Sequence, residues 1–393
     1  MKSKFRFRGS YINYVIAYFS YFFAMGVVCN LLSIYLTDSL GKTEQEMSFI
    51  LSASSLFGII TSPIAGYLND KFKKPQVLAA VSLLAAAIAS VLFTLFHSTI
   101  ILYLMNGLIM GAISCMSPVS ERVASSGKYR YGQVRIWGTI GFAAAPQVGG
   151  LLLDLAEPFW LFVAMAAALL IGAVSYLLLE GIRFDEDPPE LLSEGAKPRH
   201  RLSFLKLPMF LLFMTISMLY SGVNGLNNAY APLLLKDLGI PTTLAGTIIS
   251  ISVLVELPIV LFSNKFMDRF SSKSLTAVSL ILMLLQFVFY GFCKNLTVII
   301  ISMVFLKAVC GTLFMMVMLK VIRGIVWEDS VSTAQGTMNS INSIAAIVIQ
   351  NAGGWLATAM NIQALYIALS IITAIMLVLC LFLKIRSTKK IFS

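Results

Sequence analysis

Three features predict an all-helical integral membrane protein of twelve spans in two pseudo-symmetric six-helix halves. Of 393 residues, 58% are apolar and only 12% charged, about half the charge of a soluble domain. The mean hydropathy of +0.87 makes lipid the solvent. Apolar windows of about 20 residues, the length that crosses a bilayer core, recur along the whole chain, and one hydrophilic stretch separates six from six.

The windows lie at 11–36, 47–69, 76–96, 99–119, 134–155, 158–180, 207–235, 242–264, 275–293, 296–319, 331–357 and 361–384. The first follows a basic start (Lys2, Lys4, Arg6, Arg8) and runs for 26 residues. A signal-peptide core is about 7–15 residues, so this window reads as a retained span. The eleventh is diluted by Ser332, Gln335, Asn339 and Asn342. Residues 1–180 form one half and 207–393 the other. Between them 181–206, with its Asp185-Glu-Asp-Pro-Pro-Glu190 run, reads as a cytoplasmic linker.

The net charge is +11, but the basic residues lie between apolar runs rather than on a hydrophilic face, so topology accounts for them and nucleic acid does not. An intracellular N-terminus places 25 of the 29 Lys and Arg on the inner side, leaving Lys42, Lys236 and Lys294 outside and Lys307 within a span. The expectation is a multi-pass protein of the cell inner (plasma) membrane with both termini cytoplasmic, working as a monomer. Five cysteines without a CxxC and two histidines support neither a disulfide framework nor a metal site. No constellation of catalytic side chains points to an enzyme. No cofactor is expected beyond a proton gradient as driving force. The partners are a small-molecule substrate, protons and the bilayer.

The halves repeat. At an offset of 198, Leu40-Gly41 matches Leu238-Gly239, Asn30 matches Asn228, and Asp70-Lys71 matches Asp268-Arg269; at 204, Gly149-Gly150 matches Gly353-Gly354. Two duplicated halves with a long link are the layout of an alternating-access transporter, whose cavity is expected between the halves near the midplane.

After the second span stands Gly66-Tyr-Leu-Asn-Asp70-Lys71-Phe-Lys73-Lys74. A carboxylate at a helix end suits a neighbouring helix N-terminus, and the lysines hold the loop inside. This segment resembles the GxxxD(K/R)xx(K/R)(K/R) loop of the major facilitator superfamily, which assigns conformational gating to Gly66, Asp70, Lys71 and Lys74. Within that superfamily the chain is similar to the lactose permease group and its relatives for nucleosides and phenylpropionate. The similarity rests on Met25-Gly26, Ile34-Tyr35-Leu36-Thr37-Asp38, Ser55-Leu56-Phe57, Pro118-Val-Ser-Glu121 and Tyr131-Gly132-Gln-Val-Arg135-Ile-Trp137-Gly138-Thr-Ile-Gly141-Phe142. It implies that Glu121 and Arg135 grip substrate hydroxyls and that Phe142, where the permease has Trp, faces the substrate ring. A cytoplasmic-edge ion pair is the structural alternative for Glu121 and Arg135.

Two further charges lie deep in spans. Glu256 is 14 residues into the eighth window and Lys307 is 11 into the tenth, depths of about 21 and 16 Å. An intramembrane charge costs about 2.5–3.5 kcal/mol, so the two should face each other or water, as a coupling site or as a structural ion pair. Glu256-Leu-Pro258 resembles the acidic eighth helix of the permease group, which implies proton coupling. In the tenth helix Lys307 falls where the permease has His, and Cys310 where it has a proton-carrying Glu.

Asn224 and Asn227 follow Tyr220 at i+4 and i+7, and Gln335, Asn339 and Asn342 repeat that spacing in the eleventh window. With Asn30, Asn224, Asn227 and Asn339 are expected to line a polar cavity, interhelical hydrogen bonding being the alternative. The function expected is proton-coupled symport of a small polar solute such as a sugar or nucleoside. Gly141-Phe-Ala-Ala-Ala-Pro146-Gln-Val-Gly149-Gly150 keeps a second reading open, because it resembles the GxxxGPxxGG motif of drug-exporting antiporters.

Overall fold

A computed structural model describes residues 10–72, 75–126, 129, 131–179, 203–262, 267, 269–326 and 331–385. Among them there is no strand, and twelve long helices follow one another along the chain. They are α1 (Tyr11–Ile34, continued by a π-helical turn Tyr35–Ser39), α2 (Glu44–Phe72), α3 (Pro75–Phe93), α4 (Thr99–Ser126), α5 (Tyr131–Leu155) and α6 (Phe159–Leu177). Then come α7 (Pro208–Asp237), α8 (Thr242–Leu261), α9 (Ser272–Phe292), α10 (Leu296–Ile325), α11 (Val331–Ala359) and α12 (Ile362–Leu381). Eleven are long and apolar enough to cross a membrane. The exception is α11, the helix diluted by serines and amides. Residues 180–202 of the linker lie outside the described residues.

Short polar caps set where the helices begin. Thr43 and Glu46 form a reciprocal capping box, each bonding the other's backbone N–H at 3.2 Å. Asn295 accepts from Thr297 N and Val298 N to start α10, and Asn361 accepts from Ala364 N to start α12. Gly41 (φ +63°) and Gly239 (φ +80°) follow α1 and α7 in the left-handed region, where a side chain is disfavoured. These are the two glycines that the 198-residue repeat pairs.

The chain forms two compact units: Met1–Leu192 with Leu235–Ser250, and Ser193–Leu234 with Ile251–Ser393. In the first, α1 packs on α5 and α6, α2 on α4, and α3 on both α4 and α6. In the second, α9 packs on α10 and α12, the same neighbours displaced by six helices.

Packing explains why the end of α7 and the start of α8 join the first unit. Lys236 pairs with Asp38. The Asp154 carboxylate accepts from the Thr243 N–H and hydroxyl, both at 2.7 Å, and so caps α8. Pro146 and Gly150 of α5 meet the backbone of α8 at Gly246 and Thr242, where an added Cβ would collide. On its other side α5 crosses α1, with Gly26 against Phe142 and Ala145, and Gly141 against Phe19. The small-residue stretch Gly141–Gly150 is therefore a device for close helix crossing in this fold.

Candidate functional site

The second unit holds an open cavity of about 340 Å³ whose wall mixes polar and apolar groups. From α7 come Ser217, Tyr220, Ser221, Asn224 and Asn228, one helical face at i, i+3, i+4, i+7 and i+11. From α8 comes Glu256 and from α10 Lys307, with Thr312 further along the same helix. Asn342 of α11 completes the polar lining. Phe314, Met315 and Met318 supply the apolar part, and the Tyr220 ring stacks on Phe314 at 3.6 Å with planes 6° apart.

Glu256 and Lys307 are both half-buried and face this one cavity. The Lys307 ammonium acts on the Glu256 carboxylate through space. The two charges predicted from depth alone are thus brought together. Among the described residues, two polar atoms at the wall lack a hydrogen-bond partner: the Thr312 hydroxyl, on a residue only 4% exposed, and Asn342 Oδ1. The Thr312 hydroxyl bears on the Glu256 carboxylate without meeting hydrogen-bond geometry. A buried polar atom left unpaired is costly, and both atoms lie just beneath the cavity wall. Asn342 is oriented by its amide, which donates to Ser217 Oγ at 2.9 Å.

A polar layer lies behind the cavity. Gln286 of α9 donates to Asn227 Oδ1 at 3.3 Å and to Tyr290 Oη at 3.2 Å, and Cys310 Sγ donates to Gln286 Oε1 at 3.6 Å. The Cys310 carbonyl accepts from Tyr220 at 3.3 Å and from Ser279 at 2.8 Å. Asn227 is therefore not a cavity residue: it is 1% exposed and committed to Gln286. Its neighbour Asn228 takes the cavity position, one turn beyond Asn224 and three turns beyond Ser217, whereas Asn227 lies about 100° round the helix, toward α9. Cys310, in the register of a proton-carrying Glu, is buried in the same layer.

Asn339 is exposed, and Asn342, three residues on, lines this cavity. Asn30 sits in the first unit with its amide on the Gly26 carbonyl at 2.9 Å, a bond within its own helix. Arg135 lies over the Phe22 ring, 4.5 Å from its centroid, in a cation–π contact. Phe142 is half-buried where α5 crosses α1. The side chains of Glu121, Asp70 and Lys71, the surroundings of Gly66, and the whole of Lys74 lie outside the described residues.

Sequence reading missed Ser217, Ser221, Asn228 and Thr312. Asn228 carried a signal, as the repeat partner of Asn30. The hydroxyls carried none, since Ser and Thr are scattered through most spans.

Comparison with known proteins agrees with this architecture. The chain is 27% identical over 378 residues to the maltose permease of Geobacillus stearothermophilus, covering 94% of each chain. It is 25% identical over 281 residues to the quinolone resistance protein NorA of Staphylococcus aureus, covering 67% of this chain and 68% of NorA. The crystal structure of the nucleoside transporter NupG superposes with a TM-score of 0.80 at 18% identity, covering 94% of this chain and 97% of NupG. That likeness establishes the fold. The family described as "MFS_1 like family" matches residues 11–346. The chain belongs to this family of the major facilitator superfamily: it is a multi-pass membrane transporter, not an enzyme.

Proposed function

We propose that the protein is a proton-coupled symporter that imports a small polar solute such as a sugar or nucleoside. One observation carries the reading: a carboxylate and an ammonium at mid-span, Glu256 and Lys307, face one cavity that also presents amides and hydroxyls. Carboxylates within a membrane mark ion or substrate paths. An ammonium nearby favours the charged carboxylate. A solute that engages Lys307 withdraws that support and raises the proton affinity of Glu256, so solute and proton load together. The cavity of about 340 Å³ falls in the range of small-molecule sites. The similarity to a maltose permease supports a sugar. In this reading the protein is a monomer of the cell inner membrane with both termini in the cytoplasm.

A second reading has its own support. NorA is about as similar in identity over two thirds of the chain, and Phe314, Met315 and Met318 offer an apolar surface in the same cavity. That reading is export of amphipathic compounds against protons. The test is uptake into proteoliposomes of radiolabelled sugars, nucleosides, aromatic acids and dyes under an imposed pH gradient of either sign. Uphill accumulation of a sugar or nucleoside on the alkaline side supports symport. Accumulation of dyes on the acidic side supports export.

A further inference from the structure

We propose that Ser252 is the positioning residue of the Glu256–Lys307 pair, acting through the carbonyl of Met303. The inference rests on the coupling reading above for its functional meaning, but its geometry stands apart. α10 is not a uniform α-helix: Ser302–Leu306 form a π-helical turn immediately before Lys307. At its end the Lys307 N–H bonds the carbonyl of Ser302, five residues back. In a regular α-helix that N–H would go to Met303, four residues back. The Met303 carbonyl therefore loses its donor, in a residue with no exposure at all. The Ser252 hydroxyl on α8, itself 2% exposed, supplies the replacement at 3.0 Å.

The position of this bond gives it consequence. Ser252 lies one turn before Glu256, and Met303 one turn before Lys307. α8 and α10 run in the same direction, as alternate helices of an up-and-down bundle. Side chains four apart share a helix face, so the hydroxyl–carbonyl bond sets two parallel helices level one turn ahead of the charged residues. The extra residue in the π turn also rotates all that follows it. Without it, Lys307 would turn about the axis by about 100°, away from the wall that holds Glu256. The bond removes the cost of the orphaned carbonyl and so stabilises the rotated register. π turns of this kind recur at functional sites. The other titratable groups that bear on Glu256 are Cys310 of α10 and Tyr220 of α7, and both are held by the layer behind the cavity rather than by Ser252.

The experiment uses the full-length protein in proteoliposomes and needs no solute. Infrared titration follows the Glu256 carboxyl band, identified by its loss in Glu256→Gln. Ser252→Ala is expected to raise the protonation midpoint by about one pH unit as the ammonium moves away, and Ser252→Thr, which keeps the hydroxyl, to restore it. In parallel, a Glu256→Cys/Lys307→Cys protein is bridged with a short bis-methanethiosulfonate, and the bridged peptide is identified by mass spectrometry. Adding Ser252→Ala is expected to slow bridging about tenfold, equivalent to one net hydrogen bond, with recovery in Ser252→Thr. Should Ser252→Ala fail to insert, Ser252→Cys, a weaker donor of similar size, is expected to give a smaller shift in the same direction. Unchanged bridging in the Ala protein or, where that protein fails to insert, an unchanged midpoint in the Cys protein overturns the proposal. Slower bridging at an unchanged midpoint upholds the positioning role and overturns the claim that Lys307 tunes Glu256.

Discussion

Lys307→Ala should damage the protein more than Glu256→Gln, and the double variant should recover. Removing one partner of a buried pair leaves the other charge uncompensated, at about 3–5 kcal/mol when both are fully buried. Glu256 and Lys307 are half-buried on the wall of a cavity, where water reaches them, so a loss of about 1–3 kcal/mol is expected for Lys307→Ala once solvent screening is allowed for. Glu256→Gln leaves a half-buried ammonium, which can extend toward water in the cavity on its long stem. It also keeps a polar group of the same shape, and should cost less. The assay is thermal unfolding of all four proteins in one detergent, with solute exchange and pH-driven accumulation measured in vesicles. Glu256→Gln should retain exchange and lose accumulation. Strictly additive losses in the double variant would show that the two groups do not interact. Accumulation by Glu256→Gln under an imposed pH gradient would refute the coupling role itself.

Thr312→Val removes a hydroxyl that has no hydrogen-bond partner among the described residues, so it should leave thermal stability the same or higher while weakening solute binding about tenfold, about 1.4 kcal/mol; unaltered affinity would take Thr312 out of the solute site. Arg135→Lys should preserve expression and strongly reduce binding of a hydroxyl-rich solute, because an ammonium lacks the planar fork that stacks over Phe22. Equal affinity in the Lys protein would leave Arg135 a packing role only. Asp154→Ala removes the cap that Thr243 donates into twice and should lower stability by about 1 kcal/mol, read as a drop in Tm; Asp154→Asn, which still accepts, should lose less.

Much of this protein was legible in its sequence because the bilayer imposes a simple rule. Every spanning backbone must satisfy its own hydrogen bonds, so helices of bilayer length are the available answer, and apolar runs of that length reveal them one by one. The repeat was legible for the same reason: Gly41 and Gly239 end corresponding helices with positive φ, a requirement written in residue type. Mid-span charge is costly enough that Glu256 and Lys307 stood out without any structure. What sequence could not supply was the direction each polar side chain faces. Asn227 and Asn228 are adjacent and chemically identical, yet one is locked to Gln286 and the other lines the cavity. Asn342 lines that cavity too, while Asn339, three residues before it, is exposed. That choice depends on the rotation of each helix about its axis, which is set by packing against neighbours distant in sequence. The π turn before Lys307 belongs to the same class. Nothing local in Ser302–Leu306 announces an extra residue in the turn. It is a carbonyl's need for a donor, met by Ser252 from another helix, that lets the turn persist and decides where Lys307 points.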